Sequence, residues 1–266
     1  MSEATPHPTH AFLVDRLPVE VYASNAAAGA AAAAVARRVL SEAIQQRGEA
    51  NLILATGNSQ LAFLQGLSQA QDVDWSQVRI FHMDQYVGLD DEHPASFPRF
   101  LRERFIDQLR IPPLAFHPVE ADAADPDADA QAYEALLRAH PADLVACGFG
   151  ENGHLAFNDP PGVRFDDPAW VKVVPLAEAS RRQQVGEGHF PDLAAVPTHA
   201  VTLTVPALLA PSRVLCIVPE ARKAQAVHDC LLLPVSEDRP GSALRQVGHA
   251  TLYLDPDSAA LLPQVR

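Results

Sequence analysis

The chain has 266 residues, 48% of them hydrophobic, enough to bury a substantial core and to exclude disorder as its general state. A formal net charge of −13 argues against a nucleic-acid or anionic-membrane partner. A small anionic substrate stays compatible with that charge, because backbone N–H groups and one or two cations can hold a phosphate locally.

The first stretch, "MSEATPHPTH" over 1–10, has no basic or long apolar segment, so no secretory signal is expected and it reads as a flexible tail before one domain over 11–266. "VEVYAS" alternates like a strand, and Asn25 is placed to cap a long alanine-rich helix running to about Gln46. Arg37 and Arg38 interrupt its apolar run, and no apolar run reaches the roughly 18 residues of a membrane span. "ANLILAT" is a continuous apolar strand that ends in "GNSQ", and "LAFLQGL" follows with helical spacing. "VRIFHM" is a strand that ends at Asp84, and Ser96 opens the helix "SFPRFLRERFIDQL" with Pro98 in its first turn. Helices are expected at "AQAYEALLRAH" and "ARKAQAVHDCLL", and strands at "ADLVACGFG", "VKVVPL", "AVTLTV", "RVLCIVP" and "ATLYLD". Strands alternating with helices predict an α/β fold: a three-layer, mostly parallel Rossmann-like sheet with helices on both faces. Cys147, Cys216 and Cys230 are odd in number and have apolar flanks, which suits buried reduced thiols in a cytoplasmic protein.

Three polar stretches fall at the carboxyl ends of predicted strands, where ligands collect in such sheets. "ATGNSQ" offers Thr56, Gly57, Asn58 and Ser59 before a helix, an arrangement that suits phosphate; taken alone it also suits an ordinary capped turn. "FHMDQY" sets Asp84 where a buried strand meets a loop; a desolvated carboxylate there makes a base, though a turn residue is the commoner use. Strand alternation puts His82 on the same face as a supporting group. "GFGENGHLAFNDP" carries Asn152, His154 and Asp159, in which the amide and carboxylate could orient an imidazole able to give and take protons near neutral pH. Gly150 and Gly153 would let that loop approach a ligand. No His-x-x-x-His, Cys-x-x-Cys or Gly-x-Ser-x-Gly motif is present, so neither zinc nor a hydrolase triad is expected.

Together "TGNS", "MDQYVGL" and "GFGENGHLAFNDP" resemble the motifs of the glucosamine-6-phosphate deaminase/isomerase family: Thr-Gly-x-Thr/Ser, Met-Asp-Glu-Tyr, and Gly-x-Gly-x-Asn/Asp-Gly-His-Ile/Leu-x-Phe-Asn-Glu-Pro. "VPTHAVTLTVPALL" and "RKAQAV" resemble later segments, so the likeness runs from about residue 20 to the C-terminus. The resemblance implies that Asp84 moves a proton between C2 and C1 of the open-chain sugar and that His154 opens the ring. It gives Asn152 and Asp159 the supporting relay, with Asp159 where Glu is usual and Gln85 where a second Glu is usual. Thr56, Gly57, Asn58, Ser59 and Lys223 match phosphate contacts. The expected phosphate arginine has Arg182 or Arg181 as candidates, while Gly188 or His189 falls at its nominal place. The implied reaction takes a phosphorylated aminosugar and no cofactor, and family members are monomers or homo-oligomers. Two other readings remain: the related 6-phosphogluconolactonases, which normally lack the Phe-Asn-acidic-Pro tail, and a sugar-phosphate sensor of little catalytic power.

Overall fold

In the computed structural model, residues 5–121, 124–186 and 188–265 are described. Residues 1–4 of the expected tail lie outside them. From the rest of it, Thr9 donates its backbone N–H to the Val21 carbonyl and His10 opens the first strand.

The main sheet has eight strands: β1 (His10–Val14), β2 (Leu17–Val21), β3 (Ala50–Leu54), β4 (Val78–His82), β6 (Ala115–His117), β7 (Leu144–Cys147), β10 (Arg213–Val218) and β11 (Ala250–Leu254). Their order is β1-β2-β11-β10-β7-β3-β4-β6. Only the β1–β2 hairpin is antiparallel; every other neighbouring pair is parallel. The parallel strands read as continuous apolar runs because both their faces are buried. Leu52, Leu54, Leu144, Ala146, Leu215 and Ile217 point to one core layer, and Ile53, Val145, Cys147, Val214, Cys216 and Val218 to the other. Helices α1 (Asn25–Arg47), α2 (Leu61–Ser68) and α3 (Phe97–Arg104) cover the first layer. Helices α4 (Pro126–Ala139), α6 (Val205–Leu209) and α7 (Ala224–Leu232) cover the second. This is the three-layer α/β architecture expected from the alternation of elements.

Two details differ from expectation. Ser24, in extended conformation, caps α1 by accepting the Ala27 N–H, so Asn25 is already the first helical residue. A second, antiparallel sheet also forms, from β5 (Asp84–Tyr86), β9 (His199–Leu203) and β8 (Val171–Pro175) in the order β5-β9-β8. Its "VKVVPL" and "AVTLTV" strands therefore lie outside the parallel sheet. Only Met83 separates β5 from β4, so the chain turns out of the main sheet as β4 ends and carries Asp84 with it.

Cys147, Cys216 and Cys230 are free and buried. Among the described residues no helix is long and apolar enough to cross a membrane.

Candidate active site

β3 and β7 are neighbours in the sheet, yet from β3 the chain builds outward through β4 to β6, while β10 and β11 lie beyond β7 on the other side. At such a reversal the loops leaving adjacent strands diverge and leave a crevice. Four strand exits line it here: Thr56, Gly57, Asn58 and Ser59 after β3, Asp84 after β4, Gly148, Gly150 and His154 after β7, and Arg222 and Lys223 after β10.

The β3 exit turns at Gly57, whose φ of 98° an L side chain rarely adopts, and enters a 3-10 turn over Asn58–Gln60. Gln60, only 1% exposed, directs its amide at the Cys147 carbonyl (3.4 Å) and the Ile217 carbonyl (3.3 Å). One side chain thus ties the β3 loop to the ends of β7 and β10. Nothing in the composition of "TGNSQ" singles Gln60 out; the available signal was an amide placed directly before an apolar helix.

Asp84 pairs with Thr202 of β9 and is 8% exposed. Burial pushes its carboxyl up to about 7. His82, expected beside it as support, instead braces the backbone: its Nε2 accepts the Val119 N–H at 3.0 Å. Complete burial brings its imidazole down to about 3, so it is neutral and structural.

The β7 loop is built around the His154 ring. A Cβ at Gly150 would lie 2.1 Å from the ring's Cε1, so only glycine fits beneath the imidazole. Asn152 Oδ1 accepts the His154 backbone N–H at 3.1 Å, and its amide donates to Asp159 Oδ1 at 2.8 Å. Ser180 of α5 (Glu178–Gly186) donates its hydroxyl to Asp159 Oδ2 at 2.7 Å. His154 Nδ1 lies 3.0 Å from Asp159 Oδ1. Burial alone would raise the Asp159 carboxyl, but His154, Asn152 and Ser180 outweigh it and hold the group at about 2, ionised at neutral pH. Asp159 therefore reaches the ring despite being a methylene shorter than Glu.

β9 fixes the aspartate and the histidine loop relative to each other. Thr202, opposite Asp84, accepts the Phe157 N–H on its hydroxyl at 3.1 Å. The next residue, Leu203, accepts the Asn158 amide at 2.8 Å and donates its N–H to the Met83 carbonyl at 2.8 Å. Segments far apart in sequence meet because both are hydrogen bonded to one strand.

Arg182 is not brought to the crevice. It is exposed and its guanidinium Nε donates to Glu178, four residues earlier, at 2.8 Å. Arg181 donates to the carbonyls of Leu193 and Val196. From this region Gln184 and His189 line the crevice instead. Lys223 is 4% exposed at the start of α7. Arg222, the first residue of "RKAQAV" but given no role by the resemblance, stands beside it and contacts Glu220 and Glu151. Among the described residues no cluster of three or more His, Cys, Asp or Glu could hold a metal.

A phosphate-type loop, a buried carboxylate and an imidazole backed by an ionised aspartate, gathered at a sheet reversal, define a site for proton-transfer chemistry on a small anionic molecule. Over residues 23–253 the chain matches the family described as glucosamine-6-phosphate isomerases/6-phosphogluconolactonase, and it belongs to that family. Its relatives include the glucosamine-6-phosphate deaminase of an Exiguobacterium species, 34% identical over 226 residues that cover 85% of this chain and 86% of the relative. Among solved structures, a monomeric glucosamine-6-phosphate deaminase superposes with a TM-score of 0.82 at 27% identity, covering 91% of this chain and 99% of the other. A 6-phosphogluconolactonase from Shewanella baltica shares the fold, with a TM-score of 0.74 at 19% identity over 92% of this chain and all of the other.

Proposed function

We propose that the chain is an aminosugar-phosphate isomerase and deaminase that converts glucosamine 6-phosphate and water to fructose 6-phosphate and ammonia. The observation that carries this reading is that Asp84 and His154 line one crevice with the Thr56–Ser59 loop and Lys223. The identity to named deaminases over most of both chains adds to it.

In this reading Lys223 and the N–H groups of Thr56, Gly57, Asn58 and Ser59 take the phosphate and orient the sugar. His154, its Nδ1 side facing Asp159, uses Nε2 to take the proton of the anomeric hydroxyl and deliver it to the ring oxygen, which opens the pyranose. Asn152 and Asp159 hold the ring and stabilise its protonated form. Asp84 then removes the C2 proton; the electron pair forms C1=C2 as the C1 carbonyl oxygen takes up a proton given up by the substrate's ammonium group, giving an enolamine, and Asp84 returns its own proton to C1. Water adds to the C2 imine and ammonia leaves. A carboxyl raised to about 7 suits a group that must both take and give a proton at neutral pH. The chemistry requires no metal or organic cofactor. The same reading makes the chain a hydrolase of N-acetylglucosamine catabolism in the cytoplasm, a compartment in which its three thiols would stay reduced.

The test offers glucosamine 6-phosphate to the purified chain and measures ammonia and fructose 6-phosphate. Equimolar release supports the proposal. Absence of ammonia, with hydrolysis of a phosphorylated sugar lactone instead, rejects it in favour of lactonase activity.

A further inference from the structure

A phosphate monoester carries close to two negative charges at neutral pH, and this chain has a net charge of −13. One lysine and a loop of backbone donors leave such a ligand under-compensated, so a second cation is needed near Lys223. Arg181 and Arg182 are engaged elsewhere, on carbonyls and on Glu178 respectively. The crevice itself contains the alternative. Resting on the functional reading above, we propose that Arg222 is the second cation of the phosphate subsite.

The turn that carries Arg222 is fixed from below. Glu220 holds φ at 83°, a conformation costly for a residue with a Cβ, and both carboxylate oxygens of Asp255 accept its N–H at 3.2 Å. Gln60 ties the Thr56–Ser59 loop to Ile217, near the end of β10, and the backbone donors and residues 222–223 line the same crevice. The Arg222 guanidinium lies between two carboxylates. Nε donates to Glu220 at 2.6 Å, while Nη1 reaches Glu151 at 3.3 Å, the longer and weaker contact. With five donors in a planar fork, arginine can keep Glu220 on one edge and turn another to a phosphate oxygen. Glu151 is then the group displaced, and it acts as an internal competitor of the phosphate.

Inorganic phosphate is the probe, and calorimetric titration of the full-length chain is the measurement, so the result is independent of turnover. Arg222→Gln should weaken phosphate binding about tenfold, with Arg222→Lys in between. Glu151→Gln should bind phosphate as tightly as wild type or several-fold more tightly, since it removes the competitor. With glucosamine 6-phosphate, Arg222→Gln should raise KM and leave kcat within a few-fold. Phosphate binding within twofold of wild type in Arg222→Gln, or no measurable binding by wild type, would overturn the proposal. So would weakening in Glu151→Gln to match Arg222→Gln, because the arginine would then act only by bracing the loop. Intact phosphate binding without ammonia release would instead count against the deaminase reading and leave the subsite assignment standing.

Discussion

His154 Nδ1 and Asp159 Oδ1 are 3.0 Å apart, and that carboxylate is also the acceptor for the Asn152 amide and the Ser180 hydroxyl. An aspartate so surrounded is held ionised beside the imidazole. Asp159→Asn removes the charge and turns one end of the side chain into a donor that faces other donors. A loss in kcat of about 10²-fold is expected, with KM within a few-fold, since acid–base assistance contributes in that range. Steady-state ammonia release measures it. The acid limb of stability should change as well. A carboxyl held at about 2 in the fold, against an ordinary 3.8, stabilises above pH 4, and that contribution is lost as pH falls towards 2. Acid unfolding of the variant should begin at higher pH than in wild type.

Asp84 gives the opposite sign. Burial raises its carboxyl from 3.8 to about 7, so the fold holds a proton that the unfolded chain releases. Stability should therefore decline as pH rises from about 4 to about 7, by up to about 4 kcal/mol for three pKa units. Asp84→Asn abolishes that slope, and at pH 8 it should unfold at higher denaturant than wild type. The base must be ionised to take the C2 proton, so wild-type kcat should rise with pH through about 7. The same variant should lose deuterium exchange at C1 and all ammonia release. Undiminished turnover would remove Asp84 from the mechanism.

Asp84, His154 and the Thr56–Ser59 loop were legible in the sequence because each follows a continuous apolar strand. Strand ends in a parallel sheet share one rim. The contacts that hold the rim together were not legible. Gln60, Thr202 and Ser180 act across more than twenty positions or between different sheets, and no local pattern records such pairings. The antiparallel sheet escaped for a related reason: short strands such as "VKVVPL" have the same composition in either direction, and only their partners decide. Arg182, a candidate for the phosphate arginine that the resemblance implied, was not separable by motif from a surface residue. Four residues after Glu178 on a helix, it has a partner on its own surface and stays outside the crevice.

Gly150 admits the His154 ring directly against its backbone. Gly150→Ala would put a methyl 2.1–2.3 Å from three ring atoms, well inside contact distance, so the imidazole must move. The loop is at the surface and tied to β9 through Phe157 and Asn158, so the fold should persist. The expected result is a fall in kcat of about 10²-fold, since a displacement near 1 Å costs that much, with a thermal midpoint within a few degrees of wild type. Kinetics and a thermal melt on one preparation separate this outcome from global unfolding.

Ser180 is a positioning residue, since it reaches the chemistry only through Asp159. Its hydroxyl is buried and donates to Oδ2 at 2.7 Å, which fixes the carboxylate plane and leaves Oδ1 for Asn152 and His154. Ser180→Ala withdraws one of the interactions that keep Asp159 ionised, so the carboxyl should titrate higher. Acid unfolding should then move to higher pH, and kcat should fall about five- to twentyfold with KM unchanged. Hydrogen bonds to charged groups contribute roughly 1.5–3 kcal/mol, enough for an effect of that size. Ser180→Thr keeps the hydroxyl and should restore both the acid limb and kcat. If threonine and alanine behave alike, the side chain matters for packing and the hydroxyl does not orient the relay.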